Sequence, residues 1–327
     1  MSDILPKAVF WGLIMLSLPA SAAERVNVAT PLHGLSELPI VVAMRNRYFA
    51  TEGLEIQKIQ IKPQIAVKAL LGAEVDFNLA WDASVKAAIS GAPIKVIAAI
   101  AARPLDILMV RPEIGSGRDL RGKTLGVEVF LDAADDLARL ALRYLGVEAG
   151  REVHMVELGS ETLLLNALRT GSIHGAVLNP ATAARAEEEG FKRLVQLSDI
   201  IDLPVLGVAV TAKKLSAERE QIRRFIQATL RGARFIKQNR TDTIRMIQRY
   251  LELTPSQAAR AYDAAVGALT EDGLISDRAL ALSIRRAREG LPIAVDPKLN
   301  QAADWSVLRE VLADRRKVPF WLKRYDP

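Results

Sequence analysis

Side chains that could carry out catalysis are few in this chain and lie far apart. There are three histidines, His33, His154 and His174, and no cysteine. A thiolate zinc site, a thiol nucleophile and a disulfide framework are therefore excluded. The sequence contains no His-Glu-x-x-His motif, no phosphate-binding glycine loop and no serine-histidine-aspartate order. We therefore expect a protein that is not an enzyme and that uses neither a metal nor a cofactor.

Polar and aromatic side chains do follow several short apolar runs, at the points where predicted strands give way to helices. In open α/β sheets, ligands bind beyond the carboxyl ends of the strands. The residues at these points are therefore candidates for contact with a ligand. They are Thr30, His33, Trp81, Asp82, Arg103, Phe130, Asp132 and Asn179.

Three of these candidates also have a purely structural interpretation. Trp81, just past a buried strand, supplies either a flat wall for a ligand or an ordinary core side chain. Asp82 is equally suited to cap the helix that follows it. His33 is either a ligand contact or a surface loop residue.

Two further candidates are charged and equally open. Arg103 could grip an oxyanion in a bidentate fork, or it could pair with a protein carboxylate and shape a hinge. Asp132 begins a helix whose first turn also contains Asp135 and Asp136. Three acids at a helix start stabilise the helix through its dipole, and they also oppose an anionic ligand.

The elements that position these residues alternate between strand and helix. Runs such as 54–61 and 94–101 are typical of strands, and apolar stretches between them end at glycines, as helices do. The alternation predicts parallel sheets covered by helices. From Ser216, a proposed helix cap, the chain is almost wholly helical, and 254–257 has the pattern of a capping box.

A weak internal repeat links two halves of the chain. Residues 69–76 align with 167–174, each as a helix end, a glycine-containing turn and a short apolar strand. In this register Trp81 and Asp82 correspond to Asn179 and Pro180. The repeat predicts two similar sheets with a cleft between them.

The first residues indicate export. Lys7 precedes the apolar segment 8–18, which is followed by Ala20-Ser21-Ala22. This is the pattern of a cleavable secretory signal, with cleavage after Ala22 or one residue later. The apolar segment is too short to span a bilayer. The expected location is the periplasm.

The charge does not indicate nucleic-acid binding. The net charge is +6, but the basic residues are dispersed and aromatic residues make up only 5% of the chain. Nucleic-acid interfaces usually concentrate basic residues and place aromatics among them.

Four stretches resemble the substrate-binding proteins of ABC importers in the nitrate, sulfonate and taurine group, which includes NMT1/THI5-like proteins. They are 46–56 (NRYFATEGLEI), 69–77 (ALLGAEVDF), 91–98 (GAPIKVIA) and 119–127 (DLRGKTLGV). The resemblance spans about residues 25–210. One departure is the segment 128–136, which is rich in acids where anion-binding members have glycine, serine and threonine. This puts an oxyanion ligand in doubt and admits a neutral or amine-bearing one.

The resemblance implies the type II periplasmic-binding-protein (Venus flytrap) fold, an α/β architecture of two lobes with mixed, mainly parallel sheets and a helical C-terminal region. After the signal peptide 1–22, lobe 1 would comprise 23–103 and 207–327, and lobe 2 would comprise 104–206. Crossovers near 102–104 and 203–208 would form the hinge.

The resemblance also implies a function. A monomer would capture a small organic solute, sulfonate-like or amine- or pyrimidine-like, and deliver it to an inner-membrane permease and its ATPase. Alternatives are a ligand sensor for a membrane receptor and a pyrimidine-synthase-like enzyme.

Overall fold

The computed structural model describes residues 23–31, 33–130, 133–289, 291 and 297–316. The predicted signal peptide and the candidate Asp132 lie outside the described residues. None of the described helices is long and apolar enough to cross a membrane.

Within these described residues, ten strands form two separate five-stranded sheets. The strands are β1 (Glu24–Thr30), β2 (Leu54–Gln60), β3 (Phe77–Ala80), β4 (Ile94–Ala101), β5 (Ile107–Val110), β6 (Thr124–Val127), β7 (His154–Glu157), β8 (Gly175–Leu178), β9 (Lys192–Gln196) and β10 (Leu206–Thr211). The first sheet has the order β2-β1-β3-β10-β4, and the second has the order β7-β6-β8-β5-β9.

Both sheets follow the same plan. In the first, β1 is parallel to β2 and β3, and β10 is antiparallel to β3 and β4. In the second, β6 is parallel to β7 and β8, and β5 is antiparallel to β8 and β9. Four strands of each sheet therefore point one way, and the fifth is the strand that arrives from the other sheet. The predicted fold class, with mixed and mainly parallel sheets, is confirmed.

Helices cover both sheets and make up most of the chain after β10. The α-helices are α1 (Leu38–Arg45), α2 (Tyr48–Thr51), α3 (Pro63–Leu71), α4 (Trp81–Ile89), α5 (Ala133–Tyr144), α6 (Glu161–Thr170), α7 (Pro180–Glu188), α8 (Leu197–Ile200), α9 (Ala212–Ala217), α10 (Arg219–Gln238), α11 (Arg240–Leu251), α12 (Pro255–Ala265), α13 (Asp277–Arg288), α14 (Leu299–Ala302) and α15 (Ser306–Arg316). We call each sheet with the helices that pack on it a lobe: lobe 1 contains the first sheet and lobe 2 the second.

Local sequence signals explain several helix ends. The Thr254 hydroxyl accepts a hydrogen bond from the Gln257 amide, and the Gln257 side chain accepts one from the Thr254 amide, so the predicted capping box is present. The prediction for Ser216 is wrong, because this residue lies inside α9 and its hydroxyl donates to the Lys213 carbonyl. Thr211 caps α9 instead, accepting a hydrogen bond from the Lys214 amide.

The internal repeat has a structural counterpart. In lobe 1, α3 leads through a turn into β3 and then α4; in lobe 2, α6 leads through a turn into β8 and then α7. The strands β3 and β8 keep the predicted register, but α7 begins one residue later than that register, at Pro180, whereas α4 begins at Trp81.

The lobes touch along two helix pairs. α12 of lobe 1 packs on α7 of lobe 2, where Gln257 Nε2 donates to Glu188 Oε2 over 2.7 Å. α13 of lobe 1 meets α5 of lobe 2, where the guanidinium of Arg286 donates to the carboxylate of Asp136. The contacts join α7 and α5, the helices that follow β8 and β6 of lobe 2, to helices of lobe 1.

Candidate functional site

A buried carboxylate organises the loop after β1. Glu37 is fully buried, and its Oε2 accepts a hydrogen bond from the Thr30 hydroxyl over 2.9 Å. Its Oε1 accepts from Lys58 Nζ over 2.8 Å and from the hydroxyl of Tyr250. Burial and the bond to Glu37 raise the pKa of Tyr250 above its usual value. This network immobilises the start of the loop.

The two candidates in this loop are placed differently. Thr30 is fully buried, with its hydroxyl bonded to Glu37. The ring of His33 lies 4.4 Å from that of Tyr250, centroid to centroid, and its side chain is 50% exposed. His33 is therefore the member of the pair that a solute could reach.

Trp81 is a core side chain. It is 1% exposed, and its indole nitrogen donates to the Ser283 hydroxyl over 3.1 Å. Gly207 allows this packing, because a Cβ at that position would clash with the indole ring. The expectation of an open aromatic wall at Trp81 is corrected: α13, which carries Ser283, covers the ring.

Asp82 lies close to the contact between the lobes. Its side chain is exposed at the protein surface, but protein atoms fill most of the space around the carboxylate. The resulting loss of hydration raises the pKa of Asp82 to about 6. The positive charge of Arg286 lowers the pKa of Asp82, and the negative charge of Asp136 raises it. Asp82 makes no side-chain capping bond in α4, so its suggested role as a helix cap is not realised.

Arg103 bridges the two crossovers between the lobes. Its Nε lies 3.8 Å from Asp202 Oδ1, and both side chains are half exposed. The Ser276 hydroxyl donates to the same carboxylate over 3.2 Å. An exposed pair at this distance is weak, so Arg103 remains accessible to an incoming group.

In lobe 2, Asn179 and Phe130 occupy the predicted strand ends. The Oδ1 atom of Asn179 accepts from the Ala181 and Thr182 amides over 2.9 and 3.0 Å and thereby caps α7. Phe130 is the third residue after β6, is 38% exposed, and its amide donates to Glu157 Oε2 over 2.7 Å. Phe130 is therefore an accessible aromatic side chain at this edge.

Sequence reasoning missed a carboxylate beside Asn179. Glu161 begins α6, and its Oε1 accepts from the Asn179 amide over 2.8 Å. Burial raises the pKa of Glu161 to about 7; the Thr182 side chain and the Asn179 amide oppose the rise, and the charges of Asp106 and Glu128 add to it. The available signal was an acid directly after each of two apolar runs, at Glu128 and Glu157. Across the described ranges, no group of acidic and histidine side chains is arranged to hold a metal ion.

Solved structures with this fold include binding proteins and an enzyme. The periplasmic aliphatic sulphonate binding protein SsuA from Escherichia coli is 14% identical, with a TM-score of 0.71 over 86% of this chain and 92% of its own. The alkanesulfonate-binding protein SsuA from Xanthomonas axonopodis pv. citri, bound to MOPS, is 16% identical, with a TM-score of 0.63 over 85% and 96%. The desulfurization enzyme DSZB is 13% identical, with a TM-score of 0.62 over 90% and 100%.

No curated protein shows significant sequence similarity to this chain. The model of the NMT1/THI5-like family matches residues 36–242, which is more than half of the 327 residues. The resemblance seen in the four sequence stretches is thereby confirmed: the chain belongs to the NMT1/THI5-like family.

Proposed function

We propose that this protein is the extracytoplasmic solute-binding component of an ABC importer. It captures a small organic solute between its lobes and delivers it, unaltered, to a permease and its ATPase. The proposal also includes a periplasmic location after removal of residues 1–22, a monomeric state, and lobes bounded at 23–103 with 207–327 and at 104–206.

One observation carries this proposal: loops at the strand ends of both sheets carry accessible side chains, and one of these, Asp82, is acted on by the charges of the interlobe pair Arg286 and Asp136. Lobe 1 contributes His33 and Asp82, and lobe 2 contributes Phe130. Two crossovers join the lobes, which is the connection a hinged closure requires. The sulfonate-binding proteins that share the fold support the same role.

We assign the ligand contacts to the candidates that remain accessible. These are His33, Asp82, Arg103, Phe130 and Asn179, the last of which is exposed and also caps α7. Thr30 and Trp81 support these residues without contacting the ligand. Thr30 donates a hydrogen bond to Glu37, and Trp81 donates one to Ser283 of α13.

A binding assay with a matched aromatic control tests this assignment. The full chain is screened by thermal shift against sulfonates, amines, carboxylates and pyrimidines. A ligand present at 100 times its Kd adds about 2.7 kcal/mol of stability. Phe130→Ala should abolish the shift, whereas Tyr144→Ala, at a 65% exposed aromatic at the far end of α5, should leave it intact. Stabilisation by none of these classes, or equal shifts in both variants, would contradict the assignment.

A desulfinase-type enzyme is the competing function, because DSZB shares the fold. This chain contains no cysteine, so a thiol nucleophile is not available to it. Incubation with biphenyl-2-sulfinic acid should therefore release no sulfite. Sulfite release that disappears in a Phe130→Ala variant would establish an enzyme instead of a carrier.

A further inference from the structure

Three glutamates link the strand-end loops of lobe 2 in a chain. Glu157, the last residue of β7, accepts a hydrogen bond from the Phe130 amide over 2.7 Å. Glu128, directly after β6, accepts from the Glu161 amide over 2.9 Å. Glu161 in turn accepts from the Asn179 amide over 2.8 Å. Each carboxylate therefore holds a backbone amide of a neighbouring loop.

These amides are the groups that an anionic ligand would need. Free amides at a helix start, together with the helix dipole, make an anion site. Here the amide at the start of α6 is bonded to Glu128, and the Ser160 hydroxyl takes the Leu163 amide. The amides that begin α7 are taken by the Asn179 side chain. An oxyanion would have to displace the protein's own carboxylates and would then meet their charge.

Glu161 also has an unused oxygen. Its Oε2 is buried and accepts no hydrogen bond from any described residue. The nearby charges that act on this carboxyl group are the carboxylates of Asp106 and Glu128. A buried acceptor without a donor is costly, because it has lost its hydration without replacement. The Thr182 side chain and the Asn179 amide both act on this carboxyl group, but neither forms a hydrogen bond with Oε2, which is left without a donor.

The charge at this edge is opposite to that of the whole protein. The chain carries a net charge of +6, yet Asp106, Glu128, Glu157 and Glu161 gather at the carboxyl ends of β6, β7 and β8 and the adjoining start of β5. Beside them Phe130 is 38% exposed and Val129 is 44% exposed. The edge therefore combines acceptors for a cation with an apolar surface.

We propose that this edge of lobe 2 binds the ammonium group of an amine-bearing solute, with Glu161 Oε2 as an acceptor and Phe130 and Val129 against the solute's apolar part. This inference rests on the proposed solute-binding function and specifies its ligand class. A protonated amine supplies the missing donor and neutralises one of the clustered charges. When the Glu161 carboxyl group is protonated, binding releases its proton to solvent.

Charge-matched compounds test the ligand class. The full chain is titrated by calorimetry with a panel of alkyl and arylalkyl primary amines, each paired with the sulfonate and the alcohol of the same carbon skeleton. We expect at least some of the amines to bind the protein. The sulfonate and the alcohol with the same carbon skeleton should bind more weakly or not at all. In Glu161→Gln, which keeps an oxygen for the Asn179 amide, amine Kd should rise by about tenfold or more.

The control and the pH profile separate a direct contact from a general charge effect. Glu55→Gln removes the same charge at an exposed site on β2 and should leave the Kd unchanged. Amine affinity should fall as the pH is lowered from 8 to 6 in the wild type, and this fall should be smaller in Glu161→Gln. The groups whose charges face Glu161 are Asp106 and Glu128.

The outcomes distinguish this inference from the proposed function. Binding by sulfonates in preference to amines would overturn the inference and leave the solute-binding role standing. An unchanged amine Kd in Glu161→Gln would also overturn the inference and leave the solute-binding role standing. Binding by no compound of any charge would contradict both.

Discussion

Glu161→Gln should make the protein more stable at alkaline pH. The carboxyl group of Glu161 has a pKa of about 7 against its usual 4.5, with burial as the main cause. The folded protein therefore holds this proton more tightly than the unfolded chain. Stability falls as the pH rises from about 4.5 to about 7, and the full loss is present above pH 7.

The size of the effect follows from the same pKa difference. One pKa unit corresponds to about 1.4 kcal/mol, so the ionised Glu161 costs about 3 kcal/mol of unfolding free energy above pH 7. Glutamine has no proton to lose, and its side-chain oxygen can still accept from the Asn179 amide. The variant should therefore gain up to about 3 kcal/mol over the wild type at pH 8 and little at pH 4.5.

Urea unfolding at several pH values between 4.5 and 8 measures this gain. The pKa of Asp82 is also raised, to about 6, so part of the pH dependence will persist in the variant. Glu55→Gln serves as the reference, because it removes an equal charge at an exposed position. A Glu161→Gln protein that is less stable than this reference at pH 8 would refute the reasoning, since ionised Glu161 would then be stabilising.

Other predictions concern the packing that supports the site. Trp81→Ala should cost about 3–5 kcal/mol in urea unfolding, because the ring is fully enclosed; a loss below 1 kcal/mol would mean that the ring is not core. Gly232→Ala should cost about 1–3 kcal/mol by the same assay, because the added methyl would clash with the Pro39 carbonyl where α10 crosses α1. Unchanged stability there would show that the helices separate freely. Asp136→Asn weakens the interlobe bond to Arg286 and should increase the radius of gyration in solution scattering. An identical scattering curve would assign the lobe arrangement to α7 and α12 alone.

The fold was largely predictable because its signals are local. Glycines and capping residues punctuate the chain, and apolar runs alternate between the strand and helix periods. The repeat 69–76 with 167–174 was visible for the same reason, as each copy is a short helix-turn-strand segment. Strand positions shifted little: the run 94–101 is β4, and the run 54–61 is β2, which ends one residue earlier, at Gln60.

The burial of Trp81 was not predictable in the same way. The side chain that receives its hydrogen bond, Ser283, is 202 residues away in the sequence. Position after a strand end tells which edge of the sheet a residue occupies, but not which distant helix covers that edge. α13 is the element that decides between a ligand wall and a core, and no local pattern places it.

The acidic residues of the site were also only partly predictable from the sequence, because their surroundings are set by the tertiary fold. The sequence drew attention to the start of α5, but there Asp135 bonds to Arg139 and Asp136 bonds to Arg286, so both charges are compensated. Glu161 is an ordinary first-turn acid of α6, and the acids after the neighbouring apolar runs, Glu128 and Glu157, indicate an acidic edge without singling Glu161 out. Its importance arises because the parallel pairing of β6 with β7 and β8 brings three loops together, where each carboxylate takes a neighbour's amide and one buried oxygen remains unbonded. The positive charge inferred for the ligand therefore depends on how the strands pair in the sheet. The acids at the start of α5 suggested such a charge from the sequence, but they did not show that the acidic site lies around Glu161.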